Sequence, residues 1–470
     1  MSTDEVGTTT GTRQTHEVNV AVVGAGTSGC YAAATIAAAG YDVVVVERKT
    51  AEEAGHIACG DALKGADEFP EVIPKSKISP SLTNTVVDHG QFEIPAEDAV
   101  LDIPVPGELA VIDRKLFGEL LIEGAEESGA EFHYDTVVQN VLQDDDDDGR
   151  VTGVTGIRKG DPVHYDADLV IDGAGALSIL QDEADLSDAT FDTNVRFSQF
   201  SSAYREILEV DEPVDYHDAL VFKPTQRAAG YLWYFPRTRT EINVGLGFQM
   251  TEEPMKLVDD LKKDLHDRPE FRNATVKDKL GAALPTRRPY DSATAPGFMS
   301  VGDAAAHVNP TTGGGIAGAA YAGTYAGDAA IDALEREDAS EDVLWSYNSR
   351  VMEHFGGRYA ALDVYNIFTT AYDLDDLMAL LASLPADKLS EQLYDGKAEI
   401  GLKLKLRTAI KSFGHWGTLY DFYRTKLLAD RLTEHYEDYP DVPDGFESWR
   451  AERDEIMEDI YETTGAEAKY

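Results

Sequence analysis

The apolar positions of the chain follow two patterns. In "EVNVAVVGAGTSGCYAAATIAAAGYDVVVVERK" they run through residues 18–23 with only Asn19 between them, give way to a glycine loop and a small-residue helix over 32–39, and run unbroken over 43–46. Short continuous apolar runs bounded by turn residues predict strands buried on both faces, as in a parallel sheet. "AVIDRKLFGELLIEGAEESGAEFHY" continues this regime with a helix and a strand, and "ADLVIDGAGALS" adds a parallel-type strand running into Gly173 and Gly175. Between them, "VVQNVLQDDDDDGRVTGVTGI" predicts two strands joined at a solvated acidic tip, 144–148, that ends in Gly149.

The second pattern is alternation. From 196 to 250 the chain reads as long amphipathic strands, which predicts a second, antiparallel sheet inserted into the first unit. Within it lies "GYLWYFPRTRT", residues 230–240. Alternation sets Tyr231, Trp233 and Phe235 on one face of a strand and Leu232 and Tyr234 on the other. A plain core strand more often uses Val, Ile and Leu, and Pro236 confines the stretch to an edge or a strand end. It reads either as half a core or as a rigid binding wall. A helix near 255–265, a strand at "GFMSVGD" and helices beyond about 330 complete the pattern, without internal repeats.

Composition narrows the class. With 470 residues, 43% of them hydrophobic, the chain can bury a sizeable core and divides into two or three domains. Lys and Arg number 41 against 86 Asp and Glu, a net charge of −45, which rules against nucleic acid as a partner. The acids are dispersed, as in proteins from salt-accumulating halophiles, where self-repulsion is screened over about 3 Å at 1 M salt. Two cysteines, Cys30 and Cys59, are too few for a disulfide framework, and residues 1–16 lack the apolar core of a signal peptide. These features predict a cytoplasmic protein with a disordered tail over 1–16 and no membrane-spanning helix, surface attachment staying open.

Candidate chemistry begins at the glycine loop. Gly24 allows a tight turn, Gly26 lets backbone approach a pyrophosphate, Gly29 lets helix and strand pack closely, and Glu47 at the next strand end is placed for a ribose hydroxyl. In "GDAAAHVNPTTGGGIAGA", Asp303 is placed to bond a ribityl hydroxyl, while residues 313–315 leave backbone N–H groups free at a helix start. Two such elements nearly three hundred residues apart fit FAD stretched across one domain.

The order of these motifs, with "DRKLFGELL" between them, resembles the para-hydroxybenzoate hydroxylase superfamily of flavoproteins. "ACGDAL" and "YLWYFP" are similar to the geranylgeranyl reductase family, in particular its archaeal branch acting on digeranylgeranylglycerophospholipids. The resemblance implies an α/β fold: a Rossmann-type FAD-binding domain over 17–190 and 282–335, an inserted antiparallel-sheet substrate domain over 191–281, and a helical C-terminal region over 336–470. It implies that Ser28, Glu47, Cys59, Gly60, Asp61, Arg114, Val138, Asp303, Gly315 and Ile316 line FAD, and that Tyr231, Trp233 and Phe235 wall an isoprenoid tunnel. Thr27-Ser28 departs from the family's Pro-Ala, and Ala306 stands where glycine is common.

The implied reaction is saturation of isolated C=C bonds in prenylated lipids. An isolated alkene needs a proton alongside the flavin hydride. Cys59 is a candidate for that proton source, or else a small residue beside the ring; Cys30 reads as packing. His56 and His307 are candidate relays, and Arg287 and Arg288 candidate partners for a lipid phosphate. Flavin monooxygenase chemistry and a non-enzymatic prenyl-lipid escort on the GDP-dissociation-inhibitor fold are the alternatives. The electron donor stays open among nicotinamide, deazaflavin and ferredoxin, with transient peripheral membrane contact expected.

Overall fold

The computed structural model describes residues 14–64, 69–95, 99–105, 107–144, 149–187, 189–192, 195–225, 230–250, 253, 255–372, 377 and 416–470. Residues 145–148 of the acidic tip and 1–13 of the expected tail lie outside them.

The valine runs form the centre of a parallel sheet because both their faces are covered. Strand Gln14–Val23 lies between Val43–Val46 and Asp161–Asp172, with Glu131–His133 and Phe298–Ser300 outside these, all parallel. The antiparallel pair Thr136–Gln143 and Val151–Arg158 continues from Asp161–Asp172 as a meander. The first strand starts earlier than its apolar run. Gln14, Thr15 and His16 pair with Val163, His164 and Tyr165, which corrects the expected tail at its last three residues. A ladder needs only backbone donors and acceptors, so a polar segment joins it.

The second sheet has seven strands in the order Thr275–Pro285, Phe200–Glu209, Glu241–Gln249, Gly230–Pro236, Ala219–Pro224, His89–Ile94, Ala99–Pro104. Its last two strands come from inside the stretch expected to belong wholly to the FAD-binding unit, and His89–Ile94 runs parallel to Ala219–Pro224. The sheet's two faces differ. On one, Leu232, Tyr234, Ile242, Val244, Leu246 and Phe248 bury against Leu257, Leu261 and Leu265 of helix Met255–Asp267. Each such side chain contributes about 1.5–3 kcal/mol of burial. On the other, Tyr231, Trp233 and Phe235 share the surface with Asn243, Gly245 and Gly247 of the neighbouring strand and pack against Ala62, Leu109 and Val111 of a small three-stranded sheet, Ala62–Lys64, Leu109–Ile112 and Leu82–Asn84.

The two ends of the nucleotide unit are locked by small residues. Helix Thr27–Ala38 packs on helix Ile316–Arg336 so closely that a Cβ on Gly323 would lie 2.2 Å from the Ser28 carbonyl oxygen. Beyond it, helices Glu341–Val351, Gly357–Thr370, Trp416–Glu437 and Phe446–Thr464 make up the described part of the C-terminal region. Arg287 and Arg288 pin that region to the sheets and are both buried. Arg287 bonds Asp192 at 2.7 Å and Gln199 at 2.8 Å, and Arg288 meets Asp291, which also takes Arg453 and the Tyr436 hydroxyl. A buried guanidinium must be paired in this way, so neither arginine is placed to meet a lipid phosphate.

Candidate flavin and substrate site

The glycine loop behaves as its spacing predicts. Gly24 has φ +99°, and a Cβ there would lie 2.4 Å from the Gly173 carbonyl oxygen; one on Gly29 would lie 2.0 Å from that of Gly24. At Gly26 the nearest atom is 4.0 Å away, so this side of the turn stays open where the first N–H groups of helix Thr27–Ala38 emerge. Glu47 is buried at the end of the next strand, its carboxylate accepting the Ala25 N–H at 2.9 Å and the Lys49 N–H at 2.8 Å. Each oxygen keeps capacity for a further bond. The Thr136 N–H donates to the Glu47 carbonyl at 2.9 Å, which brings the strand bearing half-buried Val138 to the same edge.

Arg114 opens helix Arg114–Glu127, whose N-cap, Asp113, accepts the Lys115 and Leu116 N–H groups. Its buried guanidinium donates from Nη2 to Thr27 Oγ1 at 3.2 Å, and Nη1 has no partner among the described residues. Gly302, at φ +64°, brings the turn Gly302–Ala305 against Ser28: a Cβ on Gly302 would be 2.5 Å from Ser28 Oγ. Gly315 caps helix Ile316–Arg336, and a Cβ there would be 3.6 Å from Asp303 Oδ1, so Asp303, Gly315 and Ile316 form one corner. Burial pushes Asp303 up to about 6, the Arg114 charge opposing, and pushes Asp172, whose Oδ2 has no partner within bonding distance among the described residues, to about 6. His307 accepts the Gly302 N–H on Nδ1 at 3.1 Å, and burial pulls it to about 3. It is a neutral brace for the turn, a structural role in place of the candidate relay.

Cys59, Gly60 and Asp61 lie directly against the aromatic strand. A Cβ on Gly60 would be 3.3 Å from Phe235 Cε2 and 3.6 Å from Trp233 Cε2. Asn243 ties the two together. Its Oδ1 accepts the Trp233 indole N–H at 2.9 Å, while its Nδ2 donates to the Cys59 carbonyl at 2.9 Å and to Asp61 Oδ2 at 2.6 Å. Asp61 holds φ +69°, a conformation aspartate tolerates better than most residues. Its Oδ2 also takes Arg237 Nε at 2.8 Å, and its buried Oδ1 has no partner among the described residues. Burial raises the Asp61 carboxyl against the pull of Arg237. Burial and then the Asp61 charge push the Cys59 thiol up, which keeps it protonated at neutral pH. At the other end, the Tyr231 hydroxyl donates to the Thr312 carbonyl at 2.7 Å.

These groups supply donors and acceptors of the kind a long polyhydroxylated phosphate requires. The unpaired Arg114 Nη1 is a donor suited to a phosphate oxygen, the unpaired oxygens of Asp61 and Asp172 suit hydroxyl or N–H donors, and Gly26 leaves room between. Residues 17–355 match the FAD-binding domain family.

The chain belongs to that family. FAD is its cofactor, and the residues present fit it. The chain is 26% identical to the digeranylgeranylglycerophospholipid reductase of Sulfolobus acidocaldarius over 453 residues, 93% of this chain and 97% of that one. It is 29% identical to the protein of that name from Methanothrix thermoacetophila over 395 residues, 82% and 96% of the two chains. The crystal structure of a geranylgeranyl bacteriochlorophyll reductase-like protein from Thermoplasma acidophilum superposes with a TM-score of 0.71 at 22% identity, covering 87% of this chain and 100% of that one. The FAD-dependent chondrochloren halogenase superposes at 0.61 and 17% identity over 85% and 97%. Both superpositions establish the fold.

Within this FAD-binding fold, Gly24, Gly26, Ser28, Gly29, Glu47 and Arg114 share one edge, and Asp303, Gly315 and Ile316 join it through the Ser28–Gly302 approach. Cys59, Gly60 and Asp61 meet Trp233 and Phe235. Cys30 stands apart, fully buried, its thiol pushed up to about 12 and donating to the Ala25 carbonyl at 3.6 Å. The expected site lacked Asn243, Arg237 and Phe222, the last packed 5.4 Å from Tyr231 and 5.1 Å from Phe235. The signal was in "EINVGLGFQ": even positions are apolar and odd ones polar or glycine, so the odd face belongs to a site.

Proposed function

We propose that this FAD-dependent oxidoreductase saturates the isolated C=C bonds of geranylgeranyl chains, with digeranylgeranylglycerophospholipids as the substrate class. The observation that carries the reading is the Trp233–Asn243–Cys59 linkage, which joins the aromatic wall to the loop bearing the thiol. The archaeal reductases similar along nearly their whole length support the same substrate class. Bound FAD, reduced by a nicotinamide, deazaflavin or ferredoxin donor, supplies hydride to one alkene carbon and is oxidised as the alkene is reduced.

The chain's own residues do the rest. Arg114 and the open turn at Gly26 hold the pyrophosphate, Glu47 the adenosine ribose, Asp303 the ribityl chain, and the N–H groups at Gly315 and Ile316 the electron-rich edge of the ring. Cys59 Sγ delivers a proton to the second alkene carbon. Tyr231, Trp233 and Phe235 fix the prenyl chain, because rigid rings give a large apolar contact at low entropic cost. The lipid is reached by transient contact with a membrane surface; no helix among the described residues is long and apolar enough to cross one.

The test is direct. Purified holoprotein reduced anaerobically with dithionite is supplied with digeranylgeranylglycerophospholipid, and mass spectrometry should show two hydrogens gained per double bond. Reduced flavin that leaves the lipid unchanged, or product carrying oxygen once air is admitted, would overturn the proposal, the second in favour of a monooxygenase.

A further inference from the structure

Beneath the Cys59 loop lies a charged group that neither cofactor binding nor the prenyl wall uses. Arg205 sits on strand Phe200–Glu209 opposite Gly245, two residues along the neighbouring strand from the Asn243 that holds the Cys59 carbonyl. Its guanidinium is buried, and Nη1 bonds Asp278 Oδ2 at 2.5 Å. The same oxygen takes the ring of His56 at 2.7 Å, and His56 lies three residues before Cys59 in the same loop. The loop is therefore anchored on both sides of Arg205: through His56 to Asp278, and through Cys59 and Asp61 to Asn243. Arg205 Nε is buried with no partner among the described residues. Such a donor is costly to leave unused.

We propose that Arg205 is a positioning residue for the Cys59 proton: held by Asp278, it keeps a free N–H donor under the loop and stabilises the thiolate left when Cys59 gives its proton away. The inference rests on the reading of Cys59 as proton donor. In that step the S–H bond breaks with its electron pair staying on sulfur, the proton forms the new C–H bond, and the other alkene carbon takes hydride from reduced flavin. Water later restores the thiol. Three charged groups act on the sulfur: Asp61 from its own loop, Arg114 from the helix behind it and Arg205 from the sheet; Asp61 opposes the thiolate and the two arginines favour it. Arg114 acts from outside the sheet, held by Thr27, whereas Arg205 is anchored within it by Asp278 and through that carboxylate to the Cys59 loop.

The experiment reads the thiol and not the turnover. Alkylation of Cys59 by iodoacetamide is followed across pH by peptide mass spectrometry in flavin-loaded protein, with fully buried Cys30 as the unreactive control. Arg205→Gln should move the midpoint up by about one pH unit, roughly a tenfold slower reaction at a fixed pH below it, and Arg205→Lys should retain most of the wild-type midpoint. Asp278→Asn, which leaves the arginine and removes its counter-charge, should move the midpoint down, so the proposal stays testable if Arg205→Gln does not fold. Unshifted midpoints in variants with normal flavin content, or an upward shift in Asp278→Asn, overturn the role of Arg205 whatever the turnover. Full-speed alkene reduction by Cys59→Ala overturns instead the donor reading beneath it, even with the midpoints shifted as expected.

Discussion

Replacing Gly245 with alanine asks whether the aromatic wall and the cysteine loop are one mechanical unit. The new Cβ would lie 2.1 Å from Trp233 Cζ2, 2.5 Å from Cε2 and 2.7 Å from Cη2, where ordinary contact begins at 3.4 Å. The indole must withdraw by about 1.3 Å. It is packed with Val87, Val105, Leu109, Val111, Leu220 and Phe235, so withdrawal displaces neighbours. Overpacking of this kind costs about 1–3 kcal/mol, and loss of the indole bond to Asn243 adds about 0.5–1.5 kcal/mol. Gly245 is not a positive-φ glycine, so the penalty is steric and not conformational. Trp233→Phe removes the clashing atoms; added to that background, Gly245→Ala should cost less than about 1 kcal/mol, a coupling of about 1–3 kcal/mol. Apparent melting temperature and denaturant midpoint, followed by flavin release and by circular dichroism, give the four corners of the cycle. Penalties that add to within about 0.5 kcal/mol would show that ring and strand are independent, and an unperturbed Gly245→Ala would refute the packing argument outright.

Five further expectations concern the same protein. Glu47→Ala should weaken FAD retention by roughly tenfold or more, since bonds to a charged acceptor are worth about 1.5–3 kcal/mol; absorbance after extensive dialysis reads it, and full flavin content would reject the assignment. Ala306 holds φ +59° at the end of the Gly302–Ala305 turn, so Ala306→Gly should stabilise by about 0.5–1 kcal/mol, the relief of about 1–2 kcal/mol being offset by unfolded-state entropy; a lowered melting temperature would contradict it. Because Asp303 is raised in the folded state to about 6, its contribution is present at acid pH and lost as pH rises through that value. Flavin-free protein should therefore lose stability from about pH 4 to 7, a slope that Asp303→Asn flattens in denaturant titrations. Finally, turnover of vesicle-borne lipid should rise from dilute to molar salt as screening relieves the −45 charge, and Trp233→Ala should raise KM more for long than for short prenyl chains; equal losses with normal folding would return Trp233 to the core.

What could be read from the chain depended on range. The strands at 18–23 and 43–46 are local, and so is Gly29, whose conflict is with the Gly24 carbonyl five residues back; Gly24 meets Gly173, far along the chain, and was legible only through the spacing of the glycine loop itself. The alternation of Tyr231, Trp233 and Phe235 against Leu232 and Tyr234 is equally local, and the two faces separate as it requires. The hairpin at 89–104 was missed because its sheet partner, Ala219–Pro224, lies more than a hundred residues on and nothing in "HGQFEI" names it. Arg287 and Arg288 were misread for the same reason. Whether an arginine is a surface charge or a buried pin depends on Asp192, Asp291 and Arg453, and a sequence does not show which of its many acids will be brought near. Asn243 could have been caught, since a polar side chain among glycines on one face of an otherwise apolar strand has no packing reason to be there.

A core face and a ligand wall make different demands on the same strand. The face bearing Leu232 and Tyr234 meets the first, packed against leucines of helix Met255–Asp267. The opposite face is buried too, Trp233 and Phe235 packing with Val87, Val105, Leu109, Val111 and Leu220, but its polar groups and its glycine are placed differently. Tyr231 spends its hydroxyl on the Thr312 carbonyl, Trp233 spends its indole N–H on Asn243, and Gly245 gives up a side chain to seat the indole. Tyr231 thus fixes the Thr312 loop, and Trp233, through Asn243, the Cys59 loop. The rings that remain, continued by Phe222 and by Phe92 stacked on it at 5.0 Å, form an apolar row leading away from Gly60. On the proposed function, the same residues then do two things at once: they set the distance between Cys59 and the alkene, and they offer a prenyl chain a surface that needs little reordering on binding. A substitution that loosens a ring should therefore alter proton delivery as well as affinity, and kcat and KM should move together for Trp233, whereas for Phe92, remote from the loop, KM alone should respond.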